Sequence, residues 1–371
     1  MLTGICKQPS ESVYSFTADA SEMDVAGKSQ SEGKKMKRRT LGATGWSVSE
    51  FALGTMMFGT MGNSDHEDSI RIIRSAIDSG INFLDTADVY SLGESEEIVG
   101  KAIEGRRDDV VLATKFGLPF GDDPAKRGGS RRWIAREVEN SLRRLGTDYI
   151  DLYQIHRYDY ETEIDETLLA LDDLVRAGKV RAIGSSSFPA EKIVESQWAA
   201  ERRGTHRFLT EQPRYSIFNR ALEGTIFPTI QKYGMGALTY SPLNGGWLSG
   251  RPNPETAHRA AASAAFYDPE ADRNRAKLAA VDQLSELAAD AGLTLPQLAI
   301  GFAGAHPAVT SVIIGPRTQE QLDGLLTAED LELTADVLDR IDEIVPPGTD
   351  LAYDMYMAMP PALTVTALRR R

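Results

Sequence analysis

Short apolar runs that each end in polar residues recur along this chain between amphipathic helical stretches, and that alternation constrains its fold more than any other feature. The runs are residues 51–54, 81–84, 110–115, 150–156, 180–184, 209–212, 236–240 and 311–314. Helical periodicity fills the gaps over 70–77, up to about Ile103, over 134–145 with Gly146 as a stop signal, over 168–177 with Gly178 as a break, and over 221–233 and 276–291. Alternation of this kind, with no later block of hairpins, predicts a (β/α)8 TIM barrel rather than an open doubly wound sheet. The stretch from Arg38, with Leu41–Gly45 as turn chemistry, predicts an N-terminal β-hairpin ahead of the first barrel strand. An open dinucleotide-binding sheet would need G-x-G-x-x-G after its first strand, and Gly54-Thr55-Met56-Met57-Phe58-Gly59 does not supply it.

Length and charge narrow the field further. The 371 residues suffice for one large barrel, with 42% hydrophobic residues to fill its core. Residues 1–35 are polar and aperiodic and are expected to stay outside the fold, with Met36 as the expected start of the reading frame. The barrel is expected over 36–348 and a tail over 349–371. A net charge of -13 argues against a nucleic-acid partner. The single cysteine, Cys6, permits no internal disulfide, and no stretch approaches the roughly 20 apolar residues of a membrane helix, so no membrane partner and a cytoplasmic location are expected. His66, His206, His258 and His306 show no metal-ligand spacing, and no metal is expected. The sequence leaves the oligomeric state open.

Polar residues recur at the ends of the runs: Asp85, Lys115, His156, Ser186, Gln212 and Tyr240. In a parallel barrel this is the mouth where ligands bind. A lysine ending an apolar strand needs a counter-ion, and Asp85 on the neighbouring strand supplies one. Tyr90 lies in the loop above, where Ser91-Leu92-Gly93-Glu94 has the spacing of a capping box with Ser91 as the cap. Drawing a proton from a phenol near neutrality takes roughly 3–4 kcal/mol. An ammonium about 4 Å away in an effective dielectric of about 20 contributes about 4 kcal/mol, so one lysine nearly suffices.

The stretches Leu84-Asp85-Thr86-Ala87-Asp88-Val89-Tyr90, Ala113-Thr114-Lys115 and Leu152-Tyr153-Gln154-Ile155-His156, in this order, resemble the aldo-keto reductase superfamily, on the side of its bacterial and potassium-channel β-subunit-like members. The resemblance implies reduction of an aldehyde or ketone, in reverse oxidation of an alcohol, with NADPH as cofactor and a small carbonyl compound as substrate. It implies Tyr90 as the proton donor, Lys115 and Asp85 as its support, and His156 as the group that orients the carbonyl oxygen. Cofactor contacts carry over as Gly54, Thr55, Met56 and Asp85 near the ribose, Ser186, Ser187 and Gln212 at the carboxamide, and Tyr240 stacked on the nicotinamide. Ser241, Pro242, Leu243, Gly245 and Leu248 resemble the pyrophosphate loop, and Gly315, Arg317 and Gln321 the adenosine-phosphate site. Arg317 suits a 2′-phosphate, which favours NADPH over NADH. Ser187 stands where the family usually has asparagine, as does Leu325 on the last cofactor helix, and each loss is expected to weaken cofactor binding by about tenfold or less.

Some residues carry weaker expectations. Trp133, Trp198 and Trp247 are expected to pack, Trp247 nearest the cofactor. The stretch Phe116–Pro124 is expected to line the substrate mouth, and Leu351–Met359 to contribute to the pocket. The basic run Lys126, Arg127, Arg131 and Arg132 suits a solvated face better than an anion site, and Arg369-Arg370-Arg371 a solvated end. Because potassium-channel β subunits keep this barrel and cofactor while serving mainly as partners, the competing expectation is a cofactor-binding protein with little turnover.

Overall fold

A computed structural model of the chain describes residues 36–250, 267–352, 361, 365 and 366. The expected leader, Tyr353–Met359 of the tail and the terminal arginines lie outside the described residues.

The hairpin forms from β1 (Arg38–Thr40) and β2 (Ser47–Ser49), paired antiparallel. Eight parallel strands follow: β3 (Phe51–Gly54), β4 (Phe83–Asp85), β5 (Val111–Phe116), β6 (Ile150–Ile155), β7 (Val180–Ser186), β8 (Thr210–Gln212), β9 (Gly236–Thr239) and β10 (Val309–Ile314). They pair in chain order, and β10 closes on β3, so the barrel is complete and leaves no sheet edge. Helices wrap it. Those at His66–Asp78 and Arg131–Leu145 start where Asp65 and Ser130 side chains accept backbone N–H groups, and the latter ends on Gly146 in the left-handed conformation. Helices Ala190–Arg203, Leu295–Ala305 and Ala335–Ile344 add to the shell beyond those the periodicity singles out.

Side-chain alternation along the strands sorts the interior into two floors. The lower floor is apolar: Ala52, Phe83, Ala113, Leu152, Ala182, Leu238 and Ile313 form one cluster with Leu41 and Val48 of the hairpin, which plugs the bottom. Gly42 allows that plug, because its φ is +49° and a Cβ there would stand 2.4 Å from the Gly236 nitrogen. Two residues further along the strands come Asp85, Lys115, Gln154, Gln212 and Tyr240. The same period therefore closes the floor and lays out a polar mouth at the carboxyl ends of the strands.

The opposite faces of the strands pack on the helices. Phe116 is one of these residues: since Lys115 points inward, its neighbour points outward, where it stacks on Tyr153 at 4.7 Å. Phe116 accordingly belongs to the core and does not line the mouth. Trp133 is buried as expected, and Trp247 is fully buried with its ring stacked 5.5 Å from Tyr267. Trp198 departs from expectation. It is 57% exposed with the Arg202 guanidinium 4.3 Å above its ring, because the buried face of its helix is made by Ile193, Gln197, Ala199 and Ala200 instead. In the basic run, Arg127 pairs with Glu161 at 3.2 Å and Arg131 with Asp173, both pairs on the exposed surface.

Candidate active site

At the mouth the expected ion pair is formed. Lys115 donates to Asp85 Oδ2 at 2.6 Å and to the Thr86 carbonyl at 2.8 Å, and its Nζ lies 3.3 Å from the Tyr90 hydroxyl. Burial alone works against the ammonium, but the Asp85 carboxylate and Tyr90 oxygen outweigh it, and the Lys115 pKa rises above its usual value. The lysine therefore carries its charge although none of its side chain is exposed. His156 stands edge-on to Tyr90, with ring centroids 5.8 Å apart. Burial first, then Lys115 and Arg157, push its pKa well below the usual imidazole value, so it is neutral, and its Nδ1 has no partner among the described residues.

Two amides that the sequence reading does not assign to this cluster complete it. Gln212 Nε2 donates to Asp85 Oδ1 at 2.8 Å and Gln154 Nε2 to the same oxygen at 3.3 Å. Gln154 is placed by register, since it is the β6 partner of Lys115. The signal for it in the sequence is its inward parity with His156 and Leu152. Gln212, expected at a cofactor carboxamide, has its amide nitrogen on Asp85 in this structure.

Tyr90 is held by an unusual turn. Ser91 and Leu92 have φ of 49° and 53°, and Gly93 follows at 96°, so three successive residues are left-handed. Each of the first two costs about 1–2 kcal/mol for an L-residue. Ser91 offsets part of this by accepting from the Met61 N–H at 3.1 Å and donating to the Phe58 carbonyl at 3.3 Å. It does not cap the next helix: Glu94–Ala102 begins after Gly93 with no side-chain cap, because the left-handed turn sends the Ser91 hydroxyl to the β3 loop. The turn also leaves Leu92 66% exposed.

The residues assigned to a cofactor ring the same mouth. Gly54 ends β3, and Thr55 is buried with its hydroxyl on Ser95 at 2.9 Å, while Met56 is half-buried. Ser186 Oγ donates to the Gln212 carbonyl at 3.0 Å, and the Ser187 hydroxyl lies 3.2 Å from that of Tyr240. Beyond β9, Ser241, Pro242, Leu243, Gly245 and Leu248 form a loop in which Ser241, Asn244 and Gly245 are left-handed. Tyr267 ties it down by donating to the Gly245 carbonyl at 2.7 Å. Beyond β10, Gly315 faces the β3 end, where an added Cβ would meet nothing nearer than the Gly54 carbonyl at 4.0 Å. The Arg317 N–H donates to Gln321 Oε1 at 2.8 Å, where the helix Gln319–Leu326 is capped by Thr318. Space beside Gly315 at the β3 end, the hydroxyls of Ser186, Ser187 and Tyr240, and an arginine just ahead of the helix Gln319–Leu326 form a set whose chemistry fits a dinucleotide with an amide at one end and a phosphate at the other.

Among the described residues no helix is long and apolar enough to cross a membrane, and no group of three or more His, Cys, Asp or Glu side chains converges as a metal site would require.

The geometry is matched by the company the sequence keeps. The chain is 38% identical over 325 residues to the uncharacterized oxidoreductase YrpG of Bacillus subtilis (strain 168), covering 84% of this chain and 97% of that one. It is 35% identical over 324 residues to a probable voltage-gated potassium channel subunit β of Arabidopsis thaliana, covering 84% and 97%. It is 34% identical over 334 residues to the versiconal hemiacetal acetate reductase of Aspergillus parasiticus, covering 83% and 96%. The model of the aldo/keto reductase family matches residues 50–346. With that match spanning the closed barrel and its polar mouth, the chain belongs to the aldo/keto reductase family.

Proposed function

We propose that the protein reduces an aldehyde or ketone to the alcohol, reversibly, with NADPH as its cofactor. The observation that carries this reading is the chain of contacts from Tyr90 to Lys115 at 3.3 Å and from Lys115 to Asp85 at 2.6 Å, set beside a neutral His156 at the open end of the barrel. When bound, the cofactor supplies the hydride. His156 donates a hydrogen bond to the carbonyl oxygen, and Tyr90 passes its proton to that oxygen as negative charge builds there. Lys115 stabilises the phenolate left behind, Asp85 fixes the lysine, and Gln212 and Gln154 fix Asp85. Ser186, Ser187 and Tyr240 hold the nicotinamide, and Arg317 takes the 2′-phosphate.

The similarity to a potassium channel β subunit favours a second reading, in which the cofactor is bound and little turnover follows. Steady-state oxidation of NADPH with a panel of aldehydes and ketones separates the two, with wild type beside Tyr90→Phe after fluorescence titration of both with NADPH. Turnover that falls by about 10²–10⁴ in the variant, with cofactor affinity retained, is the expected outcome. Binding without turnover on any carbonyl would favour the second reading, and absence of NADPH binding would overturn both.

A further inference from the structure

Two strand ends that carry the cofactor residues are joined from behind by a carboxyl group. Register sets Glu211 on β8 opposite Ser185 on β7, and both side chains point away from the barrel interior while their neighbours Gln212 and Ser186 point into it. Glu211 is fully buried. Its Oε2 accepts from the Ser185 hydroxyl at 2.5 Å, and its Oε1 accepts from the Phe188 N–H at 3.1 Å. Those two contacts bracket Ser186 and Ser187, the residues assigned above to the nicotinamide, and the inference rests on that reading. Between them Ser187 has a φ of 54°, which an L-residue keeps only where its surroundings impose it.

We infer that Glu211 is a positioning residue of the cofactor site, whose ionised carboxyl group clamps the turn that presents Ser186 and Ser187 to the nicotinamide. The ionised form fits because both contacts need an acceptor, and charge-assisted hydrogen bonds are about twice as strong as neutral ones. When the group takes up a proton, one of its oxygens becomes a donor. The Ser185 hydroxyl must then turn to the Thr210 carbonyl, 3.4 Å away, and the clamp loosens. The surroundings bring that proton into play near neutrality. Burial raises the Glu211 carboxyl to about 7, while the Ser185 hydroxyl, the Phe188 N–H and the Arg157 guanidinium keep it from rising further. Arg157, just beyond β6, is the charged group among these. On the other side β9 sets Ala237 beside Glu211, and the helices that follow β7 and β8, Ala190–Arg203 and Ile226–Lys232, bury only uncharged side chains.

The test is fluorescence titration with NADPH of wild type, Glu211→Gln, Ser185→Ala and the double variant, from about pH 6 to about pH 8.5. Glutamine keeps the shape and an acceptor for the Phe188 N–H without the charge, so it stands for the protonated group. The ratio of its dissociation constant to that of wild type cancels the titrations that the two proteins share, including that of the cofactor's 2′-phosphate. That ratio should be about fivefold at the alkaline end and approach unity at the acid end. A ratio that does not move with pH, whatever its value, overturns the inference, since a merely structural carboxyl would give it. Ser185→Ala should weaken NADPH by a similar factor at the alkaline end, with the same decline toward acid, and it answers alone should the Gln variant not fold. The double variant should bind no more weakly than either single one, and additive losses would also overturn the inference. A wild type that binds no NADPH removes the reading of the site itself, whereas one that binds it with a flat ratio removes only the role of Glu211.

Discussion

The strands β4 to β6 bury charge on both of their faces, and they do so differently. Inside the barrel one acid, Asp85, meets one ammonium, Lys115, and two amides take the acid's other oxygen. Outside, toward the helices, Glu96 and Glu137 share the single guanidinium of Arg144 at 2.7 and 2.6 Å, and Thr114 donates to Glu96 at 2.6 Å. A third acid, Asp88, is buried nearby with its Oδ2 unpartnered among the described residues, as is the Tyr153 hydroxyl. The inner cluster is balanced and fully bonded, which keeps an ammonium charged without solvent. The outer one holds more acid than base, and burial pushes the Glu96 carboxyl up and the Asp88 carboxyl well up from the usual range. The charge of the acid is balanced inside the barrel, whereas outside it burial favours the protonated form of Glu96 and, more strongly, of Asp88.

Breaking the inner pair should have the largest effect. Lys115→Met leaves Asp85 buried and uncompensated, and a loss of about 3–5 kcal/mol of stability is expected, together with loss of turnover. Adding Asp85→Asn should restore most of the stability and none of the turnover, because the double variant removes both charges. Denaturant unfolding of the three proteins measures this, and a single variant as stable as wild type would mean that the pair contributes nothing beyond a hydrophobic contact.

The outer cluster should respond with stability alone. Arg144→Met strips Glu96 and Glu137 of their cation, but Arg144 keeps some exposure and Glu96, whose pKa burial already raises, can take up a proton. We expect a loss of roughly 2–3 kcal/mol, below the range for a fully buried pair. Activity per folded molecule should stay within about threefold. A larger fall in turnover at unchanged stability would show that the outer cluster reaches the chemistry through the Tyr90 turn, and the contrast between the faces would fail.

The two faces are also unequally legible in the sequence. Asp85 and Lys115 each end an apolar run, where a charge stands out, and a barrel makes them neighbours. Gln154 and Gln212 escape such a reading because an amide carries no charge to balance, and they lie 69 and 127 residues from the acid they hold. Glu96 and Glu137 sit in helices, where acids are ordinary, and nothing local says that both point inward to one arginine. Ser91 shows a different limit. Its spacing to Glu94 is that of a cap, but three left-handed residues in a row are set by the β3 loop it bonds, and that contact is tertiary. Phe116 and Trp198 depart from expectation for a simpler reason, since strand parity and helix periodicity already put Phe116 opposite Lys115 and Trp198 opposite Ile193.

The smallest effect, and the sharpest test of protonation in the outer cluster, belongs to Asp88. Its backbone N–H donates to the Lys115 carbonyl at 3.1 Å and its Oδ1 accepts from the Val89 N–H at 2.7 Å, contacts that an asparagine can keep. Burial first, then Glu96 and Glu137, raise its pKa. An acid whose pKa is higher in the folded than in the unfolded chain holds more protons when folded, so it costs stability as pH rises from the unfolded value, about 3.9, toward the folded one. Asp88→Asn removes that cost. An asparagine leaves its Nδ2 where Oδ2 is now unpartnered, so only the cost of ionisation is removed: the variant should be more stable than wild type near neutral pH by on the order of 1 kcal/mol, and the advantage should fade as pH approaches about 4. Urea unfolding of both proteins across this range reads it directly. An advantage independent of pH would mean that Asp88 is ionised in the fold, and the outer cluster would then hold its acids by the same means as the inner one.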